Sequence, residues 1–464
     1  MQKNRSNWKL RLIKLLNIIL MISPFVFIWR LLYGTTERLV SEQTQYLLLL
    51  SVAALYILFG RIYDAFLLDV GRIHEIVYSQ MLAAVVTDAF GFLILWMVMG
   101  SFPDFFKFIL VIPLQLVFST LWSLSAHRWY FRHFPPKRTL IIADSRTEAL
   151  EFSRTGDFAK KFELVDILTT EELLEDPQEK LCGIEAIFLL RTSYAWAVMQ
   201  LCAFQSITVY RLPLVSEIIA SRAKSITMFY TPLLRMDGYS PKLFYTAAKR
   251  LIDLLISGLA LLVLSPVMLL VAVAIKLDDG GPVFYRQERL TQNGRHFYIL
   301  KFRSMRVNAE SDGVSRLSTG ENDPRITPVG RWIRKMHLDE LPQLLNILKG
   351  DMSIVGPRPE RPELTEEYAE ILPEFKLRLL AKAGLTGYAQ VYGKYNTAPD
   401  DKLRMDLFYI LSPSIMEDIR LMFATVKILF IPESTEGIEE GKTNAMKKRN
   451  AQKIKSKRQK GGKF

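Results

Sequence analysis

The sequence predicts a membrane α-helical bundle over residues 1–132, an α/β domain over 137–235, and a further apolar helix at 245–276. That helix leads into a compact α/β-type domain over 277–432, and a basic tail follows at 433–464. Three observations predict this order. Four apolar runs crowd before residue 130, strand-like and helix-like stretches alternate from 137 to about 235, and the chain then turns soluble in composition, with dense Arg and Gly, after its longest apolar run.

Composition excludes whole classes. The chain has 464 residues, half of them hydrophobic, with 28 Phe, 18 Tyr and 7 Trp, which is not the make-up of a disordered protein. Two cysteines, Cys182 and Cys202, cannot staple a secreted scaffold, and they have no metal-ligand spacing; buried thiols in a reducing compartment are expected. A mean hydropathy of +0.15 together with a net charge of +13 predicts membrane segments and a surface that meets anions.

The four leading runs, 15–32, 46–60, 81–99 and 105–126, are each near the roughly 20 residues a bilayer helix needs, the second being short. Pro24, Trp29, Trp96 and Trp122 sit where membrane helices tolerate them. A signal peptide fits the first run poorly, because no small-residue cleavage site follows and three more runs do. Lys3, Arg5, Lys9, Arg11 and Lys14 precede the first run, Arg61 and Arg72 flank the loop after the second, and Arg128, Arg132, Lys137 and Arg138 follow the fourth. Four crossings with both ends inside satisfy this bias, which is expected to place the rest of the chain on the cytoplasmic side. Asp88 lies within the third run, where a carboxyl is costly; a structural polar contact is expected of it rather than a proton relay.

From 137 the pattern alternates: strand at 139–144, helix at 146–154, strand at 162–169, helix at 170–180, strand at 186–191, helix at 194–205 and strand at 208–212. Such alternation predicts a parallel sheet with crossover helices, a Rossmann-like layout. A dinucleotide site would need glycines after the first strand, so that backbone amides can approach a pyrophosphate. The turn instead reads Ala143-Asp144-Ser145-Arg146-Thr147. A regulatory or oligomerising domain is the expectation, with a homodimer through it.

Run 251–275 is flanked by Lys249 and Arg250 on one side and Lys276 on the other, so charge does not assign its ends to opposite sides. Ser265-Pro266 stands near its middle. Proline removes a helical hydrogen bond, and the serine hydroxyl can satisfy the freed carbonyl. A re-entrant helix that enters and leaves by one leaflet is expected, against the alternative of a plain fifth span.

The chemistry lies beyond it. Lys301-Phe302-Arg303-Ser304-Met305-Arg306 sets three cations in six residues at the end of an expected strand. Cations beside apolar partners need anions, and a substrate phosphate qualifies. Arg334, Lys335 and His337 lead into Leu338-Asp339-Glu340-Leu341-Pro342. Adjacent carboxylates can divide their work, one attacking phosphorus and the other holding a divalent cation, with nearby cations keeping both ionised. In Gly350-Asp351-Met352-Ser353-Ile354-Val355-Gly356-Pro357-Arg358-Pro359, prolines fix Arg358 for bidentate phosphate binding.

These stretches, with Lys249-Arg250, Asp253, DDGGPVFYRQ at 278–287, DPRIT at 323–327, LDELPQLLN at 338–346, Gly384-Leu385-Thr386-Gly387 and the 409–418 region, resemble the bacterial sugar transferases, the monotopic phosphoglycosyl transferases. The resemblance covers roughly 240 to 430, and the leading spans and α/β domain match the larger members. It implies a catalytic domain that transfers a hexose-1-phosphate from a UDP-sugar to undecaprenyl phosphate and releases UMP, starting a capsule, exopolysaccharide or O-antigen repeat. It implies Asp339 as the nucleophile that forms a covalent phosphosugar intermediate, Glu340 as the magnesium ligand, and Lys301, Arg303, Arg334 and Arg358 as phosphate-binding cations. Ser265 and Pro266 occupy the place of the family's helix break. His337 is expected to be structural or to touch substrate; His296 and His74 look incidental. A conventional glycosyltransferase and a non-catalytic membrane scaffold are the rival readings.

The tail from 442 carries ten Lys or Arg and no acid, which leaves +3 for the preceding 441 residues. It is expected to be disordered and to lie against anionic membrane lipid, each basic residue contributing about 1 kcal/mol. It lacks the interleaved aromatics of a nucleic-acid binder, so no nucleic-acid partner is expected.

Overall fold

The computed structural model describes residues 2–33, 42–68, 73–154, 158–192, 194–307, 323, 325–393 and 398–429. The expected tail, Arg72 and Pro324 lie outside the described residues. The chain divides into two compact units, Met1–Leu212 and Pro213–Phe464. Residues 213–235, expected with the α/β domain, group with the second unit, where Ile218 is buried in the core.

In the first unit, three long apolar helices run over Gln2–Tyr33 (α1), Glu42–Ile62 (α2) and Ile73–Met99 (α3). A fourth helix, Val111–His133, packs on α1 and α3. Among the described residues four helices are long and apolar enough to cross a membrane: 8–32 within α1, all of α2 and α3, and Leu243–Asp279 in the second unit. The helix over the fourth expected span is not among them. Gln115, Ser119 and Ser123 line its buried side and dilute its apolar character, while Leu116, Val117 and Leu121 face outward. The inward polar groups pair with one another. Gln115 donates to Asp88 at 3.2 Å and to the Met21 carbonyl at 3.1 Å, and Ser119 donates to Gln80 at 2.7 Å. Asp88 is thus a polar contact between helices, as its position in an apolar run implied.

Four parallel strands follow: β1 Lys137–Ile142, β2 Phe162–Leu168, β3 Ala186–Leu189 and β4 Thr208–Arg211, in the order β2-β1-β3-β4 with helical connections. The period-2 alternation of strands gives both faces a core. Leu140, Ile142, Ile187 and Leu189 meet Val198 and Cys202 on one face, and Ile141, Ala143 and Ile167 meet Ala149 on the other. Ser145 caps the helix after β1 by accepting from the Glu148 amide at 3.4 Å. Cys202 is buried as expected, but Cys182 is exposed, because it sits in the turn before β3 and not on a core face.

The second unit opens with the short helix Val215–Ala220, followed by an exposed hairpin, β5 Lys224–Met228 and β6 Thr231–Arg235, and then the 37-residue helix Leu243–Asp279. Pro266 is inside this helix, and helical structure continues through it. The Ser265 hydroxyl donates to the Leu262 carbonyl at 2.8 Å, the acceptor that Pro266 leaves without its amide donor. Gly280 ends the helix in the left-handed conformation, at φ 70°. One stripe of the helix, Asp253, Ser257, Ala260, Leu261, Met268, Val271 and Ile275, is turned to the globular domain, and Leu259, Leu262, Val263 and Leu270 on the other side are exposed.

The globular domain pairs β7 Phe284–Leu290 with β8 His296–Phe302 in an antiparallel hairpin, and β9 Ser353–Val355 with β10 Gly384–Thr386 in parallel. Short helices surround them over a core that includes Ile299, Ile347, Ile354, Phe375, Leu403 and Leu421. The backbones at Gly356 and Gly384 lie so close that a Cβ on Gly384 would fall 2.1 Å from the Gly356 nitrogen. Glycine is therefore required beside the Pro357-Arg358-Pro359 turn.

Candidate active site

The helix Pro328–Lys335 delivers the acidic pair. Thr327 caps it by accepting from the Gly330 amide at 2.9 Å, Pro328 opens it, and Ile333 anchors it against Phe302 and Val271. Gly330 lies on the Ser304 carbonyl, which leaves no room for a side chain: a Cβ would meet that oxygen at 2.0 Å. His337 then turns the chain in the left-handed conformation, φ 54°, and the short 3-10 turn Leu338–Glu340 presents Asp339 and Glu340. Helix Gln343–Lys349 follows and ends at Gly350, φ 96°. Arg250 donates to the carbonyls of Ile347 and Leu348, at 2.7 and 2.8 Å, at that helix end.

Glu340 is the hub. Its Oε1 accepts from Lys301 Nζ at 2.7 Å and from Arg358 at 2.6 Å. Burial works to raise the Glu340 carboxyl, but Arg358 and Lys301 overcome it and hold the group well below the usual carboxylate range. Asp339 goes the other way. Burial raises it to about 6; Lys301 opposes the rise, the Glu340 charge adds to it, and Arg334 and Arg358 hold it back. The sequence led us to expect that nearby cations keep both carboxyls ionised; the structure separates the two, one raised and one lowered. The two nearest cations bond directly to Glu340, so Asp339 receives only part of their field. The imidazole of His337 is pushed below its ordinary value, first by burial, and its Nδ1 is buried without a hydrogen-bond partner. It is a neutral ring beside the pair.

The structure thus brings together Asp339, Glu340, Lys301 and Arg358, with Arg334 near enough to act on Asp339 through its charge. Arg303 stands apart. It is nearly buried, and its guanidinium pairs with Asp279 at the end of the long helix. A Cβ on Gly281 would collide with that guanidinium. One face of Arg303 is thus spent on the helix end, and its second η nitrogen is buried without a hydrogen-bond partner.

Several site-building residues escape sequence reasoning. Asn346 clasps β8 from the following helix, accepting from the Leu300 amide at 2.9 Å and donating to the Tyr298 carbonyl at 2.8 Å, which fixes the acidic turn relative to Lys301. Its signal is a buried Asn within an apolar helix, a residue that must find partners. The Arg358 turn is held from below. Arg378 donates to the Arg358 carbonyl at 2.9 Å, and Arg289 donates to the Pro359 carbonyl at 3.2 Å. Arg378 is locked to Asp406 at 2.6 Å and lies 3.6 Å from Glu360, which also pairs with Lys402 at 2.9 Å.

Residues that could hold a divalent cation are few. No group of three or more His, Cys, Asp or Glu gathers among the described residues. The Asp339–Glu340 pair, with one Glu340 oxygen outside both ion pairs, suits a cation of the kind held by one or two carboxylates and completed by substrate phosphates.

Residues 244–432 match the family model described as bacterial sugar transferase. A relative from Aeromonas hydrophila, named UDP-N-acetylgalactosamine-undecaprenyl-phosphate N-acetylgalactosaminephosphotransferase, is 37% identical over 231 residues, 49% of this chain and 53% of its own. A UDP-glucose:undecaprenyl-phosphate glucose-1-phosphate transferase from Escherichia coli is 42% identical over 183 residues, 38% of this chain and 39% of its own. One of the same name from Caulobacter vibrioides is 38% identical over 206 residues, 43% of this chain but 76% of its own. The chain spans about half or less of the first three relatives it matches.

Proposed function

This chain belongs to the bacterial sugar transferase family, and from that premise we propose that it transfers a hexose-1-phosphate from a UDP-sugar to undecaprenyl phosphate, releasing UMP. The observation that carries the reading is the split pair: Glu340 tied to Lys301 and Arg358, and Asp339 beside it, raised and without a direct ion pair among the described residues. An Asp339 oxygen attacks the sugar-bearing phosphorus, the bond from that phosphorus to the bridging oxygen breaks, and UMP leaves with the electron pair. A phosphate oxygen of undecaprenyl phosphate then attacks the same phosphorus, which frees the carboxylate and leaves a lipid-linked diphosphate sugar. Lys301, Arg334 and Arg358 offset the charge on the phosphoryl oxygens. Magnesium, held by Glu340 and the substrate phosphates, would supply further charge neutralisation.

The membrane reading rests on the long helix. Arg250 and Asp253 near its start and Val271 and Ile275 near its end dock on one globular domain, Asp253 accepting from the Ile354 amide at 3.0 Å. Ends that dock on one domain belong on one side of a bilayer. This supports the re-entrant placement, with the site on the cytoplasmic face where a nucleotide sugar and a polyprenyl headgroup meet. The lysines and arginines ahead of the first apolar run support that orientation.

Membranes carrying the protein, given a UDP-sugar, magnesium and undecaprenyl phosphate, are expected to release UMP; release of UDP, or of no nucleotide with any UDP-hexose, overturns the reading. The raised carboxyl adds a pH signature. Asp339 attacks only when ionised, so kcat/KM should rise about tenfold per pH unit up to the midpoint and then level off. With the carboxyl raised to about 6, the midpoint lies near that pH. An acid limb near pH 4, where an unperturbed aspartate titrates, shows that the carboxyl is not raised in the working enzyme.

A further inference from the structure

We infer that the membrane bundle holds a second lipid-phosphate site, built for a headgroup that carries both a phosphate and a primary ammonium. A cavity of about 340 Å³ opens among Lys14 and Ile18 of α1, Ile57, Gly60 and Arg61 of α2, and Asp64, Phe66 and Leu67 of the turn after α2. Ligand cavities of this size are ordinary. None of the charges of Lys14, Arg61 and Asp64 has a hydrogen-bond or ion-pair partner among the described residues. Charged side chains beside apolar membrane helices normally pair with one another.

The walls are built rather than left over. The bond of 3.0 Å between Tyr56 and Asn17 fixes α2 against α1 at this level. After α2 the chain doubles back, with the Ala65 amide donating to the Gly60 carbonyl at 2.8 Å and Gln80 donating to the Ala65 carbonyl at 3.2 Å. Asp64 sits at φ 60°, a conformation aspartate tolerates better than most residues. Gly60 has no room for a side chain, because a Cβ there would lie 2.5 Å from the Phe66 ring. Phe66 thereby closes one wall beside the charges.

The charge set selects the ligand. Two cations suit one phosphodiester, and basic pockets between membrane helices are headgroup sites. A purely anionic headgroup would meet the Asp64 carboxylate at a cost. A phosphate linked to a primary ammonium satisfies all three charges, and the apolar wall of Ile18, Ile57 and Leu67 receives the first carbons of the tails. Phosphatidylethanolamine has this chemistry.

The test is native mass spectrometry of the full-length protein, delipidated in detergent and offered equal phosphatidylethanolamine and phosphatidylglycerol of the same acyl chains. The ethanolamine adduct is expected to exceed the glycerol adduct about tenfold, the value of one well-made charged contact. Asp64→Asn is expected to remove that preference, and Arg61→Gln to weaken both adducts. Equal adducts on the wild-type protein, or a preference that survives Asp64→Asn, overturn the site. Excess glycerophosphoethanolamine, the headgroup without tails, is expected to leave the adduct in place; displacement by it would make this a soluble-headgroup site and overturn the lipid assignment. Should Arg61→Gln fail to fold, the Asp64→Asn ratio decides alone.

Discussion

Asp339→Asn is expected to end UMP release, with turnover falling by at least about 10⁴-fold, the loss seen when a covalent nucleophile is removed. The change is nearly isosteric, so the turn at 338–340 keeps its shape, but a neutral amide cannot attack phosphorus. Glu340 cannot take over. Lys301 and Arg358 hold it 2.7 and 2.6 Å away and keep it well below the usual carboxylate range, which makes it a weak nucleophile. Two measurements check this. UMP should be undetectable with the variant, and the phosphosugar adduct trapped on the wild-type chain with labelled UDP-sugar should be missing. Turnover that persists in a folded Asp339→Asn protein removes Asp339 from the chemistry.

The largest effect on stability is expected from Arg378→Met. Arg378 is 5% exposed and its partner Asp406 is 1% exposed. Removing one member of a buried pair strands the other charge, which costs about 3–5 kcal/mol. Asp406 would be left in the core, Glu360 would lose one of its cations, and the Arg358 carbonyl would lose its donor. Thermal unfolding should show a large fall in Tm for the single variant. The double variant Arg378→Met, Asp406→Leu should recover much of it, because no buried charge is then unmatched. A single variant that melts with the wild type, or a double variant worse than the single, contradicts this account of the network. The double variant also separates folding from positioning, since Arg358 stays without its anchor and activity should remain low when stability returns.

Much of the site was legible because its residues lie in short, ordered motifs. Asp339 and Glu340 are adjacent, and Lys301 and Arg358 stand in short motifs of fixed order, so the resemblance those motifs carry implied that they meet. Arg303 stands apart from the acidic turn for a local reason. It comes one residue after the last residue of β8, where its amide donates to the Val283 carbonyl at 2.9 Å and its side chain turns to Asp279. That pairing joins residues 24 apart across a hairpin, and no spacing rule reports it. The Arg289, Glu360, Arg378, Lys402 and Asp406 network was invisible for the same reason, being assembled from four separate elements. In the membrane bundle the apolar runs located the helices. Val111–His133 turns a polar stripe inward and an apolar face outward, and a run of apolar letters does not report which face the polar residues take.

The docking of the Leu243–Asp279 helix has an evolutionary corollary. A membrane tether is usually a detachable module: it can be lost or exchanged and the enzyme survives as a soluble protein. Here the tether is part of the enzyme's own architecture. Trimming it away would unseat Asp253 from the Ile354 amide, remove Arg250 from the carbonyls ahead of Gly350, and strip Val271 and Ile275 from Phe302 and Ile333. Each buried aliphatic lost would forfeit about 1.5–3 kcal/mol, and the core beside Lys301 and the acidic turn would face water. Gene fusion or deletion can therefore rearrange what lies upstream of this helix, but a soluble descendant could arise only by rebuilding the core.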